Sequence, residues 1–142
     1  AAKIAAVIHD KSQYEREEVE FQMTGENWYD VYVDYCYYNA IIEDYIIFDW
    51  EENATRAQMA YLFSRCDVNP YFINDVPITD IPDVHDTTPF AYEILDLYNK
   101  GVAVGSDEYM AFYPDSQVKR SEAAALISRI LCYDMRIELP KG

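Results

Sequence analysis

The sequence feature that most constrains the fold is an internal repeat with an offset of 64 residues (120 minus 56). The segment RAQMAYLFSRC (56–66) matches RSEAAALISRI (120–130), and a Ser-Arg pair stands at the same place in both. Apolar residues occupy positions i, i+3, i+4 and i+7 of each segment, which is the pattern of an amphipathic helix. Because a helix with one apolar face must pack against neighbours, the repeat predicts a stack of helical units.

The match continues upstream of both segments. WYDVYVDYCYYNAII (28–42) corresponds to FAYEILDLYNKGVAV (90–104), and each reads as a helix followed by a turn. We expect each helix to end at a residue that tolerates the left-handed conformation, Asn39 in one unit and Gly101 in the other. Each unit is therefore predicted to be helix, turn, loop, helix.

The first residues, AAKIAAVI (1–8), have the apolar spacing of the closing helices. We therefore expect residues 1–10 to be the closing helix of an incomplete first unit, 11–66 a second unit, 67–133 a third unit and 134–142 a C-terminal tail. An incomplete unit leaves apolar surface uncovered. We expect another segment to complete it: a missing N-terminal part, a second copy or a different subunit.

Charge excludes several classes of partner. The chain has 26 acidic and 11 basic residues in 142, a formal net charge of −15. Nucleic acids and anionic membranes require a basic face, and no apolar run approaches the roughly 20 residues that span a bilayer. We expect neither nucleic acid nor membrane insertion.

Residue types that carry chemistry are present without the spacing that chemistry needs. The cysteines have no CxxC spacing, which favours buried thiols over a zinc site. They are Cys36, Cys66 and Cys132. The aspartates of residues 67–89 lack the spacing and central glycine of a calcium loop, and no nucleophile triad or phosphate-binding loop is present. We predict a protein without catalytic residues, cofactor or metal.

Five motifs follow one another in the third unit. They are Ile81-Pro82-Asp83-Val84, Phe90-Ala91, Gly101 to Gly105, Phe112-Tyr113-Pro114 and Lys119-Arg120-Ser121-Glu122. In this order and spacing they closely resemble the S-layer homology (SLH) domain family. The second unit is more diverged, and its matching elements are Trp28, Phe48 and Thr55-Arg56-Ala57-Gln58, with Asn39 and Glu43 where the family has two glycines.

The resemblance implies a mainly α fold in which tandem helix-loop-helix repeats form a pseudo-threefold bundle with long loops. It implies an extracellular, non-catalytic module that anchors an exported protein to the bacterial cell wall. The ligand of the family is secondary cell-wall polysaccharide, often bearing ketal-linked pyruvate. In the family, the arginine of the Thr-Arg-Ala-Glu motif contacts this acidic sugar between repeats, a role that falls here on Arg56 and Arg120.

A physical argument supports a carboxylate ligand at Arg56. The first turn of a helix already presents positive charge, so a cation there is unfavourable unless an anion is also bound. A guanidinium matches a carboxylate with two parallel hydrogen bonds. The candidate ligand-binding residues are Thr55, Arg56, Gln58, Arg120, Glu122, Trp28 and Gly105.

Helix capping offers another role for several of these residues. Thr55 and Gln58 have the spacing of a capping box, which is a structural feature whether or not a ligand binds. At the corresponding place in the third unit Lys119 replaces the family's threonine. We expect the cap there to come from Ser116 or Asp115.

The remaining candidates also have structural alternatives. Arg56 and Arg120 could pair with carboxylates such as Asp83 or Glu122, and Trp28 is more often a core residue than a sugar platform. The alternative function is a degenerate SLH scaffold that acts as a structural or protein-interaction module beside another domain.

Overall fold

The computed structural model describes residues 1–15 and 20–140. Within these ranges five α-helices form, and they are α1 (Ala2–Tyr14), α2 (Asp30–Tyr38), α3 (Arg56–Cys66), α4 (Ala91–Asn99) and α5 (Arg120–Leu131). Two short 3₁₀ turns span Ile78–Asp80 and Tyr133–Met135. The extended pairing in the described part of the chain is one antiparallel bridge, between Thr55 and Gln117. The prediction of a mainly α protein is confirmed.

Helix α1 extends beyond its predicted end at residue 10. It continues to Tyr14 and stops at Glu15, which has a left-handed φ of 53°. Residues 11–13 are polar and look like a linker in the sequence, but the outward side of a helix is as polar as a loop. Asp10 is a buried residue within this helix.

The core forms where the closing helix of one unit meets the opening helix of the next. Helix α1 packs on α2, α3 packs on α4, and α1 also packs on α3. Eight of the 11 residues of α3 are buried, against two of 12 in α5. The two helices share one apolar pattern, so their different burial comes from their neighbours.

The turn after α2 has the same hydrogen bonds as the turn after α4. The carbonyl of Cys36 accepts from the N–H groups of Ile41 and Ile42, at 2.8 and 3.1 Å. In the third unit the carbonyl of Leu97 accepts in the same way from the N–H groups of residues 102 and 103, at 2.9 and 3.1 Å. Both turns therefore close in the same way.

The left-handed residues of these turns are Ala40, with φ of 55°, and Gly101, with φ of 72°. The prediction for Gly101 is confirmed and that for Asn39 is wrong, because Asn39 has φ of −92°. Asparagine tolerates the left-handed region better than alanine, but here the closing hydrogen bonds determine which residue adopts it. Gly101 therefore corresponds to Ala40, one residue later than the sequence suggests.

The arginine of the repeated Ser-Arg pair stabilises these turns. Arg65 donates from Nε to the carbonyl of Ile41 at 2.6 Å and from Nη2 to that of Ala40 at 2.9 Å. Arg129 donates from Nη1 to the carbonyl of Val102 at 2.9 Å. Each arginine thus stabilises the turn of its own unit.

The C-terminal segment is part of the packed structure. Arg136 is buried, and its Nη2 lies 2.9 Å from Oδ2 of Asp67, just after α3. The ammonium of Lys100, at the end of α4, lies 3.8 Å from the same carboxylate and 3.1 Å from that of Asp96. A buried network of charges therefore joins the ends of α3 and α4 to this segment.

The three cysteines are free, and they differ in exposure. Cys36 and Cys66 are buried, as predicted, whereas Cys132 is exposed after α5. No helix in the described part of the chain is long and apolar enough to cross a membrane.

Candidate functional site

A groove of about 560 Å³ opens between the start of α3 and the side of α5. Residues 103–106 and the loop around 113–117 form its other wall, and Arg56 lies at its base. We call it the Arg56 groove. It brings together parts of the second and third units, so it is a site between repeats.

The Arg56 groove reverses the charge of the chain locally. Of the described residues that line it, three are cationic (Arg56, Lys119 and Arg129) and one, Glu122, is acidic. The whole chain has more than twice as many acidic as basic residues, 26 against 11. Three serine hydroxyls also face the groove, those of residues 106, 116 and 121. The site therefore favours an anion that also carries hydroxyl groups.

Arg56 is 6% exposed and contacts the third unit. Its Nε donates to the carbonyl of Phe112 at 2.6 Å, and its guanidinium lies 4.8 Å from the centre of the Phe112 ring. Its Nη1 forms an ion pair with Glu122. Of the two carboxylates considered from the sequence, Glu122 forms this ion pair and Asp83 acts on Arg56 only through its charge.

Burial affects the pKa of two arginines in the groove. Loss of hydration lowers the pKa of Arg56, and the nearby Tyr98 and Asp83 oppose this shift. Burial also lowers the pKa of Arg129. A partly dehydrated guanidinium gains more from a carboxylate than an exposed one does. Arg129 therefore favours an incoming anion more strongly than a surface cation would, whereas Arg56 already pairs with Glu122.

The capping box at the start of α3 is confirmed. The N–H of Gln58 donates to Oγ1 of Thr55, and the N–H of Thr55 donates to Oε1 of Gln58, both at 3.1 Å. Neither side chain lines the Arg56 groove. These two candidate residues have a structural role at the start of the helix.

The first N–H groups of α3 already have protein acceptors. The N–H of Arg56 donates to the carbonyl of Ser116 at 2.8 Å, and that of Ala57 donates to the carbonyl of Pro114 at 2.9 Å. The sequence predicts that these N–H groups attract an anion, and this prediction is wrong. A loop of the following unit occupies the helix start.

Asp83 connects two of the motifs of the third unit. Its carboxylate accepts from the N–H groups of Phe112 and Tyr113, at 2.8 and 2.6 Å. Asp83 therefore fixes the start of the loop whose carbonyls, at residues 114 and 116, accept from the N–H groups of α3. Asp83 positions the wall of the groove and does not line it.

Gly105 lines the groove and has φ of +86°. A Cβ at this position would lie 2.5 Å from Cα of Met110. The loop closes at this point through the N–H of Ser106, which donates to the carbonyl of Ala111 at 2.8 Å. Glycine is required here because both the left-handed φ and the close approach of the Met110 backbone exclude a side chain.

Helix α5 has half of a capping box. A carboxylate oxygen of Glu122 accepts from the N–H of Lys119 at 3.4 Å. Lysine has no acceptor atom, and no side chain caps the first turn of α5. The expected cap from Ser116 or Asp115 is therefore wrong, and the carbonyl of Ser116 instead binds α3.

Like Thr55 and Gln58, the candidates Arg120 and Trp28 lie outside the Arg56 groove. Arg120 is exposed and lines a separate cavity of about 300 Å³, together with Ile4 and Met59. No described residue forms an ion pair with it. Trp28 is 64% exposed and lies edge-on against Tyr29, so its assignment to the core is wrong.

Most groove residues were not among the sequence candidates, and Lys119, Arg129 and Tyr113 are the charged and aromatic ones. The repeated Ser-Arg pair is a sequence signal that includes Arg129. Lys119 precedes a candidate arginine in the motif, and Tyr113 is the middle residue of another motif. These residues come together only because the third unit packs on α3, and the sequence spacing does not predict this packing.

Protein-family models, curated proteins and solved structures give no significant match to this chain.

Proposed function

We propose that this chain is a non-catalytic module that binds an acidic secondary cell-wall polysaccharide at the bacterial cell surface. The single observation that supports it most is the Arg56 groove, which gathers three cations and one carboxylate in a chain of net charge −15. The net negative charge of the chain already favours solubility, so solubility does not explain a local excess of positive charge. It suits a ligand with carboxylates, such as ketal-linked pyruvate, on a sugar backbone.

The groove supplies a distinct kind of contact for each part of such a ligand. Lys119 is exposed, and no described carboxylate lies within ion-pair distance of its ammonium. Lys119 and Arg129 bind the ligand carboxylate. The three serines that line the groove bind sugar hydroxyls.

The proposal includes a pseudo-threefold SLH arrangement in which another segment completes the first unit. The contrast between the two helix starts supports it. The N–H groups at the start of α3 bind the loop at residues 114–116. Among the described residues, none accepts from the N–H groups of Arg120 and Ser121 at the start of α5. A corresponding loop from another segment would occupy this place.

The test compares two variants with the same change of charge. Lys119→Gln removes a groove cation that pairs with no described carboxylate, and Lys11→Gln removes an exposed cation on α1 that does not line the groove. We expect Lys119→Gln to weaken co-sedimentation with bacterial cell-wall preparations about tenfold, because one charge-assisted contact contributes about 1.5 kcal/mol. Lys11→Gln should sediment like the parent protein.

Chemical removal of ketal pyruvate from the wall preparation tests the carboxylate. We expect the parent protein to lose most of its binding to the treated wall. Equal binding to treated and untreated wall would contradict carboxylate recognition. Equal loss in both lysine variants would mean that net charge, and not the groove, determines binding.

A second candidate function is a structural module without glycan binding. The ion pair of Arg56 with Glu122 and its hydrogen bond to Phe112 favour it, because they occupy the arginine within the protein. Arg56→Ala separates the two functions. Unchanged wall association with a lower free energy of unfolding supports the structural module, whereas loss of wall association by folded protein supports glycan binding.

A further inference from the structure

We propose that Tyr113 is the platform on which a sugar ring of the ligand stacks in the Arg56 groove. The inference rests on the proposed function and deepens it, because it specifies a sugar-borne carboxylate and not a free anion. Tyr113 lines the groove together with Lys119 and Arg129, and 46% of its surface is exposed. An aromatic ring left partly open in a polar groove offers an apolar face to a ligand.

The ring of Tyr113 is held in one orientation from both ends. Its hydroxyl donates to Oδ2 of Asp107 at 2.6 Å, and its backbone N–H donates to Oδ2 of Asp83, also at 2.6 Å. Asp107 is itself fixed, because its other carboxylate oxygen accepts from the N–H groups of Tyr109 and Ala111 at 3.0 and 3.1 Å. A side chain that is already ordered loses little conformational entropy when a ligand stacks on it.

The backbone of Tyr113 is in an unfavourable conformation that its surroundings maintain. Its φ is 56°, in the left-handed region that residues with a Cβ seldom adopt. Strained residues of this kind concentrate at binding sites, where the conformation directs a side chain. At Tyr113 the strain coincides with a partly exposed aromatic residue that lines a groove, and these two observations together support a binding role.

The chemistry of a sugar explains why an aromatic residue and cations would line one groove. One face of a pyranose presents C–H groups, which pack on an aromatic ring, while its hydroxyls and an attached carboxylate project outward. Lys119 and Arg129 then meet the carboxylate. The corresponding residue of the second unit is Asp49, at the same 64-residue offset (113 minus 49), so the platform is specific to this groove.

The test uses two probes that differ in the sugar ring. One is a methyl mannopyranoside that carries a 4,6-linked pyruvate ketal, and the other is sodium pyruvate, which has the carboxylate alone. Titrations followed by protein NMR measure Kd for both. We expect Tyr113→Ala to weaken binding of the ketal sugar roughly two- to tenfold, the range of an aromatic contact, and to leave pyruvate binding unchanged.

Two further variants separate the ring from its surroundings. Tyr113→Phe keeps the ring and loses the hydrogen bond to Asp107, so it should lose less than half as much affinity as Tyr113→Ala. Tyr109→Ala removes an exposed tyrosine of the same loop that does not line the groove, and it should bind like the parent protein. Saturation transfer from the Tyr113 ring protons to the sugar C–H protons measures the contact directly, so it tests the proposal even where Tyr113→Ala does not fold.

Three outcomes would overturn the inference. If the parent protein binds the sugar and Tyr113→Ala binds it equally well, Tyr113 is no platform and the proposed function stands. If Tyr113→Phe loses as much as Tyr113→Ala, the hydroxyl is the important group. If the parent protein binds neither probe, the proposed function fails and this inference fails with it.

Discussion

Helices α3 and α5 have the same amphipathic pattern in sequence and different environments in the fold. At its start, α3 binds backbone carbonyls of the third unit, and at its end Asp67 joins a buried network with Lys100 and Arg136. Helix α5 is held at only one end among the described residues: its first N–H groups lack acceptors, whereas the carbonyls of Arg129 and Ile130 accept from the guanidinium of Arg136, at 3.0 and 3.4 Å. One helix is central and the other is peripheral.

An apolar stripe in a repeat therefore predicts a helix but not how deeply the helix is buried. In stacked repeats a unit is stabilised by its own turns and by its neighbours. The turns are equivalent here, since Arg65 and Arg129 bind corresponding carbonyls. The neighbours differ, because α3 lies between α1 and α4. Substitutions at corresponding positions of the two helices should therefore have unequal effects.

The largest difference is expected at Phe63 and Ile127, which correspond at the 64-residue offset (127 minus 63). Phe63 is 1% exposed, whereas Ile127 is half-buried. Phe63→Ala should lower the free energy of unfolding by about 3–5 kcal/mol through the cavity it leaves. Ile127→Ala should lower it by about 1 kcal/mol. Urea unfolding followed by circular dichroism measures both, and equal losses would contradict the distinction between a central and a peripheral helix.

The helix ends provide the next comparison, between Asp67 and Leu131. Asp67→Ala leaves the buried cations of Lys100 and Arg136 without a shared carboxylate, and removal of one partner from a buried ion pair costs about 3 kcal/mol or more. Leu131 is exposed, so Leu131→Ala should change the free energy of unfolding by less than about 1 kcal/mol. The measurement is chemical denaturation of both variants at neutral pH. A small loss at Asp67 would mean that Asp96 alone satisfies Lys100 and that Arg136 is solvated.

The turns differ at Gly101 and Ala40, and opposite substitutions test this difference. A Cβ at Gly101 would lie 2.7 Å from the carbonyl oxygen of Ile137. Gly101→Ala should therefore lower the free energy of unfolding by about 2 kcal/mol, through this contact and the left-handed φ. Ala40→Gly should raise it by up to about 1 kcal/mol, because it relieves the strain at a φ of 55°.

Thermal unfolding of the two turn variants gives the signs directly. A lower Tm for Ala40→Gly would mean that the loss of a Cβ increases the entropy of the unfolded chain more than it relieves the turn. Asn39→Gly is the matched control. Asn39 has a negative φ, so glycine at this position should not stabilise the protein.

Local sequence signals predicted what local interactions determine. The capping box of Thr55 and Gln58, the helix from Arg56 to Cys66 and the left-handed Gly101 depend on residues a few positions apart, and all three are confirmed. The environment of Arg56 depends on Phe112 and Glu122, which are distant in the chain. The sequence suggested Glu122 as one partner of Arg56, but it could not exclude the others. It gave no sign that the loop of the third unit would occupy the N–H groups of α3.

The smallest predicted effect concerns the thiols, and it compares the end of α3 with the residue after α5. Burial raises the pKa of Cys66 and raises that of Cys36 to about 12, whereas Cys132 is exposed. Above a pH of about 8.5 the unfolded chain loses protons from its thiols while the folded protein keeps those of the two buried cysteines. The unfolded state then binds fewer protons, so stability falls as pH rises.

We expect the free energy of unfolding to fall by about 1.5 kcal/mol between pH 7 and pH 9 through the two buried thiols. Urea denaturation at the two pH values measures this change. Cys66→Ala should reduce the pH dependence by about half, even if the variant is less stable at both values, because the slope counts protons and not packing. Cys132→Ala is the matched control at an exposed cysteine, and it should leave the slope as it is. A slope that depends on Cys132 and not on Cys66 would contradict the burial of α3 from which this comparison starts.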